Sequence, residues 1–119
     1  DEIGEIGARY GLTVSNVFHA GDGNLHPNIS FDRRDALLAQ RVHDASREIM
    51  ETCVRAGGTI TGEHGVGSDK REYMPLIFDP ATLGAMCAVR RVFDPETRAN
   101  PDKVFPLHTC REWVAGGVR

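Results

Sequence analysis

The chain has 119 residues, enough for one domain with a single hydrophobic core. Apolar residues make up 40% and charged residues 26% of it, which excludes a disordered or collagen-like chain. The 14 basic and 17 acidic side chains give a net charge of −3 with no long basic tract, so we expect no nucleic-acid partner. No apolar run reaches the length of a membrane span, and we expect a soluble, cytoplasmic protein.

The first half of the chain predicts a helix, a hairpin and a second helix. Apolar residues at spacings of three and four predict a short helix over residues 2–10. Residues 14–20 and 25–31 read as two strands around Asp22-Gly23, a dipeptide typical of a type I′ hairpin turn. A long helix follows, capped by Asp32 or Asp35 and reaching about Ala56. Its inward stripe is Leu38, Val42, Ala45, Ile49, Cys53 and Ala56, and Gly57-Gly58 supplies a left-handed C-cap.

The second half predicts fewer regular elements. Residues 59–61 are compatible with a short strand, and residues 69–74 with a short helix that Pro75 stops. Asp79-Pro80 predicts a helix start, and that helix continues to Phe93 with a core stripe of Leu83, Met86, Val89 and Phe93. The elements together predict an α+β fold, in which helices cover one face of a small antiparallel sheet.

The predicted hairpin brings two histidines together. A turn centred on Asp22-Gly23 places His19 directly opposite His26, with Cβ atoms about 5 Å apart. Both point to the polar face, and the other face is predicted to be the core side, with Phe18, Ala20, Leu25, Ile29 and Phe31. Two imidazoles at this separation can bind one divalent ion. The alternative is a pair of half-exposed histidines on a solvated face.

A glycine-rich loop, Gly62-Glu63-His64-Gly65-Val66-Gly67, forms a second cluster. Glu63 is a candidate third ligand of an open His, His, Glu site, and His64 is a candidate general base. Gly65 and Gly67 would let another molecule approach the backbone closely. The alternative is a flexible turn with exposed charges.

Three cysteines, Cys53, Cys87 and Cys110, are an odd number without a CxxC pair. We interpret them as a reduced set of small apolar side chains, although two of them could form a disulfide. His43 is interpreted as a solvated surface residue, and His108 is given no role beyond packing. Because the sequence begins with Asp1 inside a predicted helix, we interpret residues 1–119 as a piece of a longer protein.

Three ordered motifs carry a resemblance to a known family. They are residues 16–28, residues 62–67, and residues 93–95 followed by 100–106. In this order they resemble the C-terminal part of the FAD-linked oxidases that act on D-2-hydroxy acids, among them the flavin subunits of bacterial glycolate oxidase. The resemblance covers nearly the whole chain.

The resemblance implies a fold and an activity. Such enzymes join an FAD-binding domain of the vanillyl-alcohol oxidase type to a ferredoxin-like cap domain, and they oxidise a D-2-hydroxy acid of the glycolate or D-lactate type to a 2-oxo acid. Residues matching His19, His26 and Glu63 hold a divalent metal, zinc or manganese, in the metal-dependent members. The residue matching His64 is the candidate base, the one matching Asn28 contacts substrate, and Gly65 and Gly67 are assigned to the cofactor side.

The resemblance also implies what this chain lacks. The FAD-binding domain and the early half of the cap domain are absent, so we expect the chain alone to be inactive. Half of a ferredoxin-like sheet would leave an apolar face or an open edge strand, through which we expect the chain to self-associate. Iron–sulfur and second flavin-type subunits are the expected partners, and they would attach the protein to the inner membrane. The alternatives are a non-catalytic metal-binding or subunit-docking domain, and a zinc hydrolase, which the absence of an HExxH helix disfavours.

Overall fold

A computed structural model describes residues 2–106 of the chain. The elements are α1 (Glu2–Arg9), β1 (Val14–His19), β2 (Asn24–Ile29), α2 (Ala36–Arg55), a 3₁₀ helix (Arg71–Leu76) and α3 (Pro80–Phe93). They belong to two compact units, residues 2–62 and residues 63–106. The predicted α+β fold with a small antiparallel sheet is confirmed, since β1 and β2 form a two-stranded antiparallel sheet.

In the first unit, α1 and α2 cover one face of the hairpin at its open end. Four buried residues form the core between the two helices: Ile3, Ile6, Ala45 and Ile49. Val14 and Ile29, which pair at the open end of the hairpin, pack against this cluster. Full burial of one such aliphatic side chain is worth about 1.5–3 kcal/mol, so this contact anchors the base of the hairpin to the helices.

Both ends of α2 follow the predicted capping pattern. The Asp35 carboxylate accepts a hydrogen bond from the Leu38 N–H at 3.0 Å, so Asp35 is the N-cap. Asp32 instead binds the Arg34 guanidinium, which holds the pKa of the Asp32 carboxyl below its usual value. At the other end Gly57 has φ 85°, and the Gly58 N–H donates to the Cys53 carbonyl at 2.9 Å.

The register of the hairpin differs from the prediction by two residues. His19 pairs with Asn24 and Val17 pairs with His26, because residues 20–23 form a four-residue turn. The Asp22 carboxylate accepts the Asn24 N–H at 2.9 Å, which favours this longer connection over a type I′ turn. Because side chains alternate with a period of two, the two-residue error leaves both histidines on the predicted face.

The predicted core face of the hairpin is largely exposed. Phe18 retains 59% and Leu25 retains 45% of their accessible surface, so the prediction that they are core residues is wrong for this chain. Ala20 lies in the turn and is exposed as well. The reason is geometric: the cluster formed by α1 and α2 contacts Val14 and Ile29 at the base, and the strands extend beyond it.

Residues 59–76 are less regular than predicted. No strand forms at residues 59–61, although Ile60 is buried. The predicted short helix is a 3₁₀ helix shifted to Arg71–Leu76, with Pro75 inside it instead of stopping it. The i→i+3 pattern of a short 3₁₀ helix leaves many N–H groups unused, which accommodates a proline.

In the second unit, α3 has the predicted bounds. The Asp79 carboxylate accepts the Thr82 N–H at 2.6 Å, and this bond lowers the pKa of the Asp79 carboxyl. Leu83 is buried, but Val89 and Phe93 are 59% and 83% exposed, so only the first half of the predicted stripe is core. Within residues 2–106 no helix is both long and apolar enough to span a bilayer.

The cysteines are not the uniformly reduced set that the sequence predicts. Cys87 on α3 is disulfide-bonded, and it packs against the buried Phe105. Cys53 on α2 is a free thiol, and burial raises its pKa. Cys110 and His108 lie outside the described residues.

Candidate functional site

The first feature of the site is the histidine pair of the hairpin. His19 ends β1 and His26 lies in the middle of β2, two positions from the residue that faces His19. The imidazole centroids are 5.4 Å apart, and the ring planes cross at 78°. Diagonal neighbours on a sheet face lie about 7–8 Å apart at the backbone, a gap that long side chains can close. The prediction that the two rings meet is therefore confirmed, although their strand register was predicted incorrectly.

Gly62, at the start of the glycine loop, lies against the side chain of Asn24, the residue that faces His19 in the hairpin. A Cβ added at Gly62 would lie 2.5 Å from Oδ1 and 3.0 Å from Nδ2 of Asn24, the first residue of β2. A methyl group at this point would require the end of the Asn24 side chain to move. The residue joined to Gly62 is Glu63, so this contact governs where the Glu63 side chain begins.

Glu63 completes the predicted group of three ligands. One ligand atom from each of His19, His26 and Glu63 lies within 4.8 Å of the others. Ligand atoms around one tetrahedral zinc ion lie about 3.4 Å apart, so small side-chain rotations would bring all three onto one ion. His19 and Glu63 are exposed and His26 is half-buried, which leaves room for these rotations. Among residues 2–106, this is the one group of three or more His, Cys, Asp or Glu side chains with metal-binding spacing.

His64 lies next to Glu63, the candidate third ligand. Its Nε2 is 3.2 Å from Oε1 of Glu63, and its side chain is 68% exposed. A carboxylate has two oxygens with about four lone pairs, so Glu63 can pair with an imidazole and still offer an oxygen to an ion. A carboxylate beside an imidazole fixes which ring nitrogen carries the hydrogen. The arrangement suits a proton acceptor held beside a cation site.

The other predicted site residues lie close by in the sequence but make different contacts. Asn28 shares the sheet face of the histidines, and its Nδ2 donates to the His26 carbonyl at 3.0 Å. Gly65 and Gly67 have φ values of 75° and 57°, and open space surrounds a Cβ added at either. The positive φ values favour glycine at both positions. The open space around them gives no second, steric reason for glycine. The Gly67 carbonyl accepts the Val104 N–H at 2.8 Å.

Sequence reasoning missed two contributors to this geometry. Asn24 was treated as part of the turn, yet its side chain lies against Gly62. The Asp22-Gly23-Asn24 pattern, typical of an Asx turn, could have indicated the longer connection. Val104 lies in the third motif of the resemblance, and only the fold shows that its N–H reaches the glycine loop.

We expect the packing of Gly62 against Asn24 to be visible in stability. Gly62→Ala should lower the free energy of unfolding by about 0.5–1.5 kcal/mol, because the new methyl overlaps the Asn24 amide and forces that side chain away from its rotamer. Asn24→Ala combined with Gly62→Ala should recover most of this loss, and Asn24→Ala alone is the control. Thermal and urea unfolding measure the difference. A double variant as unstable as Gly62→Ala alone would show that the Asn24 contact is not the cause.

Comparisons with known proteins show the family of the chain. Residues 1–104 match the family described as FAD linked oxidases, C-terminal domain. The chain is 42% identical over 114 residues to the glycolate oxidase subunit GlcD of Escherichia coli (strain K12), covering 95% of this chain and 23% of that protein.

Relatives with other substrates in their names match as well. The chain is 40% identical over 91 residues to D-2-hydroxyglutarate dehydrogenase of Stutzerimonas stutzeri (strain A1501), covering 73% of this chain and 19% of that protein. It is 33% identical over 99 residues to the mitochondrial D-lactate dehydrogenase [cytochrome] of Arabidopsis thaliana, and the match covers 83% of this chain and 18% of that protein. The chain spans less than a quarter of the length of these relatives. Because the family match covers residues 1–104, the chain belongs to the family of FAD-linked oxidases, C-terminal domain.

Proposed function

We propose that this chain is the metal- and substrate-binding part of an FAD-dependent oxidoreductase that converts a D-2-hydroxy acid of the glycolate or D-lactate type to a 2-oxo acid. The observation that carries the proposal is the convergence of His19, His26 and Glu63 within 4.8 Å. The relatives named for glycolate, D-lactate and D-2-hydroxyglutarate support this substrate class, because all three are small 2-hydroxy acids.

The three ligands fit a divalent metal, zinc or manganese. Two imidazole nitrogens and one carboxylate oxygen are a donor set that zinc accepts, and three protein ligands leave a coordination position for substrate. A metal there would polarise a bound hydroxyl and hold the adjacent carboxylate. His19 and His26 orient the site from the two strands, and Glu63 contributes the negative charge that offsets the cation.

His64 is the proposed proton acceptor. With Nε2–H directed at Oε1 of Glu63, the Nδ1 nitrogen carries the lone pair that takes the substrate hydroxyl proton. The negative charge of Glu63 stabilises the imidazolium that results. Asn28, on the same sheet face as the histidines, would contact the substrate through its amide. FAD, bound mainly outside this chain, would accept the hydride from the carbon that bears the hydroxyl, with Gly65 and Gly67 on its side of the site.

The hairpin supports a proposal about partners. Phe18 and Leu25 form an exposed apolar face, and a two-stranded sheet has an open edge on each strand. We propose that the chain alone self-associates through this face, and that in the longer protein other segments or the iron–sulfur and second flavin-type subunits cover it. Sedimentation over a range of concentrations measures the self-association. The cytoplasm, or the inner membrane surface through such subunits, stays the proposed location.

The test of the activity uses the longer polypeptide that carries this chain and binds FAD. Under anaerobic conditions, glycolate, D-lactate or D-2-hydroxyglutarate should bleach the flavin absorbance, and L-lactate should leave it unchanged. Chelation should slow the bleaching, because it would remove the cation that binds the substrate. Added zinc or manganese should restore the rate of bleaching. Bleaching by none of these acids, or equal bleaching by both lactate enantiomers, would contradict the proposal.

A further inference from the structure

The loop that follows α3, residues 94–104, has an unusual backbone. Four of its non-glycine residues are left-handed: Thr97 (φ 51°), Asn100 (φ 49°), Asp102 (φ 60°) and Val104 (φ 74°). This region is unfavourable for residues with a Cβ, and most unfavourable for β-branched side chains such as that of Val104. Such conformations persist where surrounding contacts enforce them. The contacts of this loop therefore show which groups hold it in this conformation.

The first half of the loop is held by the end of α3. The Asp94 carboxylate accepts the N–H groups of Arg98 and Ala99 at 2.8 and 3.0 Å. The Arg90 guanidinium donates to the Ala99 carbonyl, and to the Asn100 carbonyl at 3.2 Å. The Arg90 and Asp94 side chains are only 19% and 15% exposed. Charge-assisted hydrogen bonds at such shielded positions are stronger than those between neutral groups.

The second half of the loop is held by the 3₁₀ helix. Nη1 of Arg71 donates to the Asp102 carbonyl at 2.6 Å, and the Arg71 side chain is 20% exposed. Two residues later, the Val104 N–H donates to the Gly67 carbonyl at 2.8 Å. Val104 forms this bond with its backbone in the left-handed conformation. Two arginines thus fix a loop whose last residue binds the glycine loop.

The glycine loop needs such an anchor. Gly65 and Gly67 have no side chains to pack, and a Cβ at either position would meet open space. Glu63 and His64 lie four and three residues before Gly67, and their side chains are substantially exposed. An anchor on the Gly67 carbonyl limits the backbone conformations that these two residues can adopt.

We propose that Arg71 and Arg90 are positioning residues for the site. They hold the 94–104 loop so that the Val104 N–H binds the Gly67 carbonyl, and through this bond they fix the orientation of Glu63 and His64. The inference rests on the proposed function, because it gives Glu63 the role of a metal ligand. Both arginines act on the site through the loop, by their bonds to the Ala99, Asn100 and Asp102 carbonyls.

Amide hydrogen exchange tests the anchor without metal. In Arg71→Met and Arg90→Met, the amides of Val104 and Lys70, which donate to the Gly67 and Val66 carbonyls of the glycine loop, should exchange about tenfold faster, because a charge-assisted bond to the 94–104 loop is lost. Arg71→Lys should restore most of the protection, since it keeps one charged donor. Arg98→Met is the matched control, because that guanidinium is 81% exposed and pairs with Glu96 in the same loop. Exchange unchanged in both Met variants would overturn the inference, whatever the metal does.

Manganese titration of the same variants tests the consequence for the site. Both Met variants should bind Mn²⁺ about tenfold more weakly than the unmodified chain, as is typical when a group that orients a ligand is removed. Circular dichroism should show that they remain folded. Faster exchange with unchanged Mn²⁺ affinity would overturn the positioning role. If the unmodified chain bound no Mn²⁺, the proposed function would fail, and exchange would still decide whether the anchor exists.

Substitutions at Val104 separate the bond from the side chain. Val104→Gly keeps the N–H and adopts a positive φ freely, so it should retain exchange protection and Mn²⁺ affinity. Val104→Pro has no N–H and a fixed negative φ, so it should reproduce the arginine variants. Equal behaviour of the two variants would overturn the role of the Val104–Gly67 bond.

Discussion

Replacing Glu63 with glutamine should lower the affinity of the chain for Zn²⁺ or Mn²⁺ by about 100-fold. The substitution keeps the shape of the side chain but removes its charge, and a neutral amide oxygen is a poor ligand for zinc. His26→Ala should have an effect of the same size, because it removes one of the three protein ligands proposed for the metal. Titration calorimetry on the purified chain measures both losses.

Matched controls make this result specific to the site. His43→Ala removes an exposed histidine of α2, and Glu96→Gln neutralises an exposed carboxylate in the 94–104 loop. Neither lies in the His19, His26 and Glu63 group, so both should bind metal like the unmodified chain. Equal affinity in the site variants and in the controls would remove the metal assignment.

Replacing His64 with alanine should lower turnover by about 10²–10⁴-fold in the longer polypeptide that binds FAD. The reason is the loss of the group that takes the hydroxyl proton, and positioned acid–base groups typically contribute this factor. The FAD content should stay the same, because the proposal places most FAD contacts outside this chain. Stopped-flow reduction of the flavin by a D-2-hydroxy acid measures the rate of the affected step.

Rescue distinguishes a base from a structural residue. Imidazole added to the His64→Ala variant should restore part of the lost rate, and more at pH values where imidazole is neutral, since the neutral form accepts the proton. It should not change the rate of the unmodified protein. A His64→Ala variant with normal turnover would refute the assignment of His64 as the base. The metal-ligand assignment is tested separately, by the metal titration of the Glu63→Gln and His26→Ala variants.

The local patterns of the sequence predicted most of the elements correctly. The part of the α2 stripe from Val42 to Ile49, the Asp35 cap and the Asp79-Pro80 start of α3 are encoded by neighbouring residues, so they could be predicted closely. Ala56, predicted as the last residue of the stripe, is the exposed C-cap instead. The proximity of the His19 and His26 rings was also predicted from the sequence, because a sheet alternates side chains with a period of two and tolerates a two-residue error in register. The proposal that these histidines and Glu63 bind a metal stays a prediction.

Several features depended on tertiary contacts that no local pattern contains. The exposure of Phe18 and Leu25 reflects how far α1 and α2 reach along the strands, and an apolar residue does not by itself reveal which neighbour will cover it. The exposure of Val89 and Phe93 on α3 has the same origin. Pro75 also joined the 3₁₀ helix that it was predicted to stop.

The sequence by itself determined the local arrangement of the candidate site residues: two histidines on one sheet face, and a carboxylate next to an imidazole in a glycine loop. Only the tertiary structure decided that Gly62 lies against Asn24, and that the Val104 N–H binds the Gly67 carbonyl. The physical reason is distance along the chain. Side-chain alternation and capping act between near neighbours, whereas a close backbone approach and a hydrogen bond across 37 positions exist only once the chain has folded.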